Sequence, residues 1–401
     1  MGTTAQRIMV ATVRDNVQET QVLHDELPAL ELDEIRLRVD KVGLSANNLF
    51  YAQMGEAPFL KFFAVYPLDE AHKHLANVPA WGVATITESR NSDFSVGEQY
   101  RGFLHMTNVV QMKARRTEDG FVAYGGKRDK LNQAYNGFIG VDPSGSSPIK
   151  GDGEKSDLAM TSAPGGLSGF ILYELLKMHS FYGGNSVVLT SASSKLSLTT
   201  ALLLRRDCEE GTLAKVIAYT AQSNAEFVRR TGLYDEVLTY DEALPAGSEH
   251  QHVLIDVAGD AAIYKRGKEQ FIKGFAVGGT HSNADASIFT AFGPSGFLKM
   301  FIDMIAPQPI KSWASRNLNP KLEMFFAPTV INELLSRWGK EEMDKKSDDA
   351  LGRFVDAAVD GGWIKVDRSE SIEDIQTAYK KIVLGLVPPA EAVILSLSAK
   401  S

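Results

Sequence analysis

The sequence predicts an α/β protein of two domains: a compact β-rich domain and a parallel sheet covered by helices on both faces. Three observations predict it. Short strand-like runs punctuated by glycine fill residues 7–100. From 186 to 280, apolar strands alternate with helical patterns, which is the mark of a buried parallel sheet. A final strand-like run, Ala392 to Leu397, follows the tail helices and is expected to return to the first domain.

Taken in order, Ile8 to Val13 is a strand-like run, and Glu34 to Val42 alternates apolar and charged residues as a half-buried strand does. Gly43 to Asn48 turns into the aromatic segment Leu49-Phe50-Tyr51-Ala52. Val83 to Glu88 alternates again, and Ser95 to Leu104 reads as turn, strand and glycine, so a barrel or a sandwich is expected. Residues 105–156 look less regular. Lys127-Arg128-Asp129-Lys130 reads there as a solvated face. Asp142 to Pro148 and Gly151-Asp152-Gly153 are turn chemistry and set a boundary near 155. Gly165-Gly166 precedes a helix with Leu167, Phe170, Ile171, Leu175 and Met178 on its apolar face.

The sheet of the second domain starts at Ser186-Val187-Val188-Leu189, a buried strand. The small and polar residues Thr190 to Ser194 follow, and then a helix led by Leu196, Leu198 and Ala201. A strand, a tight turn and a helix beginning at that turn present free N–H groups and a positive dipole end to phosphate. The G-x-G-x-x-G pattern of such turns is absent: Ala192, Ser194 and Ser197 stand in the glycine places, and Lys195 adds charge. A phosphate cradle and a plain strand-to-helix turn are both open readings. Lys215 to Tyr219, Glu236 to Leu238, His252 to Gly259 and Gly274 to Gly279 are the following strands. Ser371 opens a capped helix with Ile372, Ile375, Ala378, Tyr379 and Ile382 on one face, and Gly385 stops it.

Composition narrows the function classes. A length of 401 residues, 44% apolar and 23% charged, is that of a globular protein with room for two cores. A net charge of −8 without a basic cluster argues against nucleic acid. One cysteine, Cys208, excludes an internal disulfide framework and a zinc site of several cysteines, and it suits a reducing compartment. No apolar run approaches a membrane span, and the start lacks the apolar core of a signal peptide, so the cytoplasm is expected. No metal is expected. The spacing of His72 and His74 suggests a ligand pair, but without a nearby cysteine or paired acid it reads as structural or exposed.

Four segments in one order resemble the medium-chain dehydrogenase/reductase superfamily in its zinc-free, quinone-oxidoreductase-like branch. Its closest members are catalogued only as a domain of unknown function. Val39 to Asn48 is similar to the pattern VxAxGVNPxD, and Phe94 to Gly102 to FxVGDRVxG. Val187 through Tyr240 follows the family's strand, loop, helix, strand and helix, with Thr231 to Val237 standing for LGADxVI. Tyr379 to Leu397 resembles the family's end. The resemblance implies a GroES-like β-barrel domain over 1–155 and 340–401 and a Rossmann doubly wound parallel sheet over 156–339.

It also implies a zinc-independent reductase that uses NADPH on a carbonyl or an activated C=C, with hydride transfer in the cleft between the domains. Ser191, Ser193, Ser194, Lys195, Tyr219, Thr220, Ser223, Arg229 and Gly279 are the cofactor candidates. The tip of the second strand carries no acid for a ribose 2′-OH, which favours NADPH over NADH. Tyr51, Asn48 and His281 are the catalytic candidates, since without zinc a carbonyl must be polarised by hydrogen bonds. Each has a plainer reading, as a loop, a packed tyrosine or a surface histidine. A small-molecule substrate and a homodimer are the expected partners. The competing function is a lyase or isomerase on the same scaffold with a degenerate nucleotide site; a non-catalytic binding protein is the third reading.

Overall fold

The computed structural model describes residues 4–57, 61–130, 135–141, 148–149, 153–245, 251–259, 261–277 and 320–397, with single residues and pairs between 298 and 318. The chain divides into two compact units, Met1–Thr161 with Ile364–Ser401, and Ser162–Trp363.

The first unit opens with β1 (Ala5–Val13) and β2 (Asn16–Leu27), then β3 (Glu34–Leu44), helix α1 (Ala46–Gln53) and the short β4 (Leu75–Ala76). It continues through β5 (Pro79–Ser89), β6 (Gln99–His105), β7 (Val109–Arg116), β8 (Gly120–Tyr124) and β9 (Gly137–Gly140). β2, β1 and β4 form a three-stranded sheet. β3, β5, β6, β9, β8 and β7 pair in that order, and β7 returns to β3, so the ring closes into a barrel. β3 makes closure possible by bending: its register against β5 shifts between Arg36 and Leu37 and again between Val39 and Lys41. Glu34 to Arg38 is then free to pair with β7.

Two expectations change here. The stretch read as irregular supplies β7, β8 and β9. The last two are only five and four residues long, too short for a period to show. The solvated face at Lys127 to Lys130 is corrected at one position: Lys127 and Asp129 are exposed as expected, but Arg128 is only 8% exposed. Strand β2 went unread because its side chains are mostly polar and Leu27 alone is fully buried.

The second unit's sheet is built from β10 (Ser186–Leu189), β11 (Lys215–Thr220), β12 (Glu236–Thr239), β13 (His252–Asp256), β14 (Phe271–Ala276) and β15 (Leu322–Met324). Helix α2 (Glu154–Met178) precedes it, and α3 (Lys195–Glu209), α4 (Ala225–Arg230) and α5 (Ala261–Arg266) lie between strands along the chain. All neighbouring strands are parallel in the order β12-β11-β10-β13-β14-β15. Numbered from β10, that is 3-2-1-4-5-6, the doubly wound arrangement, whose direction of winding reverses between β10 and β13. Val187, Val188, Leu189, Val253, Leu254 and Ile255 are buried, as a sheet covered on both faces requires. Helix α2 begins well before Gly165 and runs through Pro164, which deprives it of only one N–H, and Leu167 of its expected apolar face is 40% exposed. Residues 340–363, expected in the first domain, group with this unit because they continue α6 (Ala327–Asp360), which kinks at Gly339.

The chain then re-enters the first unit as β16 (Lys365–Ser369), α7 (Ile372–Val383) and β17 (Glu391–Leu395). β17 pairs with β3 through Val393↔Leu44 and Leu395↔Val42, which is the expected return of the final strand. Ser371 caps α7 by accepting from Asp374 N–H, and the helix buries Ile375, Ala378, Tyr379 and Ile382. Thr12 donates to the Tyr379 hydroxyl at 3.0 Å. Buried Asp157 also joins this segment to the barrel, taking Lys41 Nζ at 2.6 Å and Arg368 Nε at 2.7 Å.

Candidate functional site

In a 3-2-1-4-5-6 sheet, ligands lie outside the carboxyl ends of the strands where the winding reverses. Two side chains stitch that point together. Thr190 Oγ1, just past β10, donates to Asp256 Oδ1 at 2.7 Å, and the same carboxylate oxygen accepts Gly259 N–H at 3.0 Å. The turn that follows solves the missing-glycine problem in an unexpected way. Ser191 takes φ 45, a left-handed conformation that costs an L residue about 1 kcal/mol or more. Two tyrosines brace it: Ser191 N–H donates to the Tyr240 hydroxyl at 3.0 Å, and Tyr234 donates to the Ala192 carbonyl at 2.8 Å. Asn224 Nδ2 donates to Ser193 Oγ at 3.2 Å. No spacing in the sequence pointed to Tyr234, Tyr240 or Asn224.

The glycines absent from the turn are found on α2. A Cβ at Gly169 would lie 2.7 Å from the Leu196 carbonyl oxygen, and one at Gly165 would lie 3.2 Å from Leu196 N and 3.3 Å from Lys195 Cβ. These two positions let α2 close against the first turn of α3. Ser194 caps α3, accepting Ser197 N–H at 3.2 Å, and Ser197 Oγ donates to the Thr190 carbonyl at 3.0 Å. Among the described residues, the N–H groups of Ser193, Lys195 and Leu196 have no hydrogen-bond partner. The Lys195 ammonium has no partner among them either. Burial pushes it down to about 8, the sign of a cation held where no counter-charge compensates it.

At the tip of β11, Tyr219 is buried and its hydroxyl donates to the Glu242 carbonyl at 3.2 Å. Thr220 is buried with an unpartnered Oγ1. Ser223 is exposed, and Arg229, also exposed, reaches the Val237 carbonyl at 3.4 Å. Gly279 and His281 lie outside the described residues.

The aromatic segment of the first unit holds the other candidates. Asn48 has both ends of its amide engaged: Oδ1 accepts Ser45 N–H at 2.8 Å, and Nδ2 donates to the Pro79 carbonyl at 2.9 Å. It acts as a helix cap for α1. Tyr51 is 7% exposed, with its ring edge-on to Phe103 at 5.1 Å and tilted against Phe62 at 4.9 Å. Its oxygen accepts from Trp81 Nε1 at 3.2 Å, and the exposed Asn47 side chain also favours the charged form. Burial pushes the phenol up to about 12 against the opposing pull of those donors, so its proton is retained at neutral pH. Trp81 was not among the sequence candidates. It precedes an alternating strand, where an indole reads as ordinary core. His72 pairs with Asp69, and no cluster of three potential metal ligands occurs among the described residues.

A closed six-stranded barrel and a 3-2-1-4-5-6 parallel sheet give the chain the fold of the medium-chain dehydrogenase/reductase proteins, as the sequence resemblance implied. The model of the family described as "Protein of unknown function (DUF2855)" matches residues 42–388, and the chain belongs to that family. Among solved structures it is similar to CurA from Vibrio vulnificus, with a TM-score of 0.52 at 11% identity over 100% of both chains. CurA from the same organism in complex with NADPH matches with a TM-score of 0.52 at 10% identity, over 98% of this chain and 99% of that one. The yhdH oxidoreductase from Salmonella enterica in complex with NADP matches at 14% identity and a TM-score of 0.49, over 98% and 99%. Comparison with curated proteins gives no match. No described helix is long and apolar enough to cross a membrane.

Proposed function

We propose that this protein is a reductase that takes NADPH at the turn after β10 and reduces a carbonyl or an activated C=C of a small molecule. The observation that carries the reading is Lys195, an uncompensated cation at the start of α3 beside the free N–H groups of Ser193, Lys195 and Leu196. Helix N-termini with such donors favour anions, and a phosphate would remove the burial cost of the ammonium. The likeness in fold to CurA, which has been crystallised with NADPH, supports the same reading.

Lys195 and the three N–H groups would hold phosphate, with Thr220, Ser223 and Arg229 toward the 2′-phosphate. The acid-free tip of β11 favours NADPH over NADH. Bound NADPH supplies the hydride. Tyr51 is the group that would polarise a carbonyl. Trp81 donates to its oxygen, so the phenol O–H remains available to donate to an acceptor. A single cysteine in the chain speaks for polarisation by hydrogen bonds without zinc, and for the cytoplasm.

Titration with NADPH and NADH by calorimetry tests the reading. NADPH is expected to bind at least tenfold more tightly than NADH. If neither binds below about 1 mM, roughly −4 kcal/mol, the reductase reading falls and a lyase or isomerase takes its place. Lys195→Ala locates the contact: a loss confined to NADPH puts Lys195 on the 2′-phosphate, and equal losses put it on the pyrophosphate.

A further inference from the structure

The barrel unit contains a cluster of buried polar groups that the nucleotide reading does not use. It is organised around Tyr66, whose hydroxyl is fixed by donating to the Phe103 carbonyl at 2.8 Å. The guanidinium carbon of Arg128 lies 4.6 Å from the centre of the Tyr66 ring. Arg128 Nη1 donates to Asn136 Oδ1 at 3.1 Å, and Asn136 Nδ2 returns to the Arg128 carbonyl at 2.8 Å. Arg128 Nη2 has no partner, and no acid pairs with this guanidinium among the described residues.

His105 lies against the same tyrosine, with ring centres 4.4 Å apart and planes inclined by 36°. It is 1% exposed, and neither of its ring nitrogens has a partner. Asn77, 2% exposed, donates through Nδ2 to the Tyr66 carbonyl at 3.1 Å, which orients the amide and leaves Oδ1 unpartnered. Residues 103 and 105 share one face of β6, since side chains alternate along a strand, so the cluster continues from the aromatic wall at Phe103.

Unpaired polar atoms are destabilising when buried, and a buried cation without a counter-charge more so. Here Arg128 Nη2, both nitrogens of His105 and Asn77 Oδ1 are found on residues that all touch Tyr66. Their chemistry defines a complement. Burial, with Arg7 and Arg128 nearby, holds His105 well below the usual histidine range, so it is a neutral ring with one N–H. Arg7 is neutralised by its ion pair with Asp25, so the net charge offered is that of Arg128, which suits a monoanion and not a phosphate dianion. Asn77 Oδ1 asks for a donor.

We propose that this cluster binds a small hydroxycarboxylate. Its carboxylate accepts from Arg128 Nη2 and from the His105 N–H, and its hydroxyl donates to Asn77 Oδ1. The inference is independent of the nucleotide reading, since it involves the barrel unit only.

Melting the full-length protein in sodium lactate, sodium acetate and sodium chloride at matched ionic strength tests it. Lactate is expected to raise the melting temperature by several degrees over chloride in a saturable way, and acetate by less. Arg128→Met is expected to abolish the lactate gain. Equal melting in lactate and chloride, or a lactate gain that survives Arg128→Met, overturns the site; an acetate gain equal to that of lactate overturns the Asn77 contact. Should Arg128→Met fail to fold, long-range nitrogen–proton NMR of the His105 ring in the unmodified protein decides. Lactate must move those resonances and chloride must not; no movement with lactate overturns the proposal.

Discussion

Replacing Lys195 with methionine tests the central argument about the turn, because it predicts a gain in stability together with a loss of function. The ammonium lies about 2.5 units below its ordinary value of 10.5, at about 8. At about 1.4 kcal/mol per unit, the folded state carries a penalty of roughly 3 kcal/mol at neutral pH. Partial exposure of the side chain trims that to about 2 kcal/mol. Methionine keeps the length and apolar stem and removes the charge, so the variant without ligand should melt roughly 4–8 °C higher at pH 7.

The sign of the pH dependence follows from the same shift. Between pH 8 and 10.5 the folded protein binds fewer protons at Lys195 than the unfolded chain does. Wild-type stability at this site therefore climbs with pH across that window, while the variant has no such rise. The difference is full below pH 8 and closes above about pH 10.5. Calorimetric melts at pH 7, 9 and 10.5, without ligand and then with NADPH, measure both effects. A variant no more stable than the parent at pH 7, or a difference that ignores pH, refutes the uncompensated cation. A variant that keeps the parent's NADPH affinity separates Lys195 from the phosphate.

Other outcomes follow from the same contacts. Asp157→Asn leaves partly buried Lys41 and half-exposed Arg368 without their shared buried acid, and should cost about 3 kcal/mol in denaturant unfolding; a loss under about 1 kcal/mol would show the pair to be dispensable. Gly169→Ala puts a methyl 2.7 Å from the Leu196 carbonyl. It should destabilise by about 1–3 kcal/mol and weaken nucleotide binding by displacing the start of α3; unchanged melting and affinity would deny that close approach a role. Tyr51→Phe should lower kcat by about 100-fold with little change in nucleotide affinity. With its phenol held near 12, Tyr51 should contribute no ionisation to the rate profile between pH 6 and 10 in the parent; a titration assigned to Tyr51 in that range would contradict the burial argument.

Much of the architecture was legible because it rests on local patterns. Apolar runs at Val187 to Leu189 and Val253 to Ile255, each bounded by small and polar residues, read as strands buried on both faces, and Ser371 with Asp374 carries the pattern of a capped helix start. The site was legible in part. Ser194 announces a cap by its type and position, and Lys195 stands out as a charge in a small-residue turn.

What the sequence by itself determined is the two-unit α/β plan, the parallel strands of the second unit with the turn that follows β10, and the capped helix and final strand of the tail; β2 and the strands β7 to β9 were not written in local pattern. The tertiary structure alone decided how a turn without glycine is held, through tyrosines at 234 and 240 that lie some 40 or more residues away, and through glycines displaced onto α2. It also decided that Asn48 is committed to the backbone, that Trp81 faces Tyr51, and that Arg128 turns inward from a run that reads as surface. The reason is physical. Periodicity and capping act over a few residues and are written into local spacing, whereas the partner that satisfies or strands a buried polar atom is chosen only when distant segments meet.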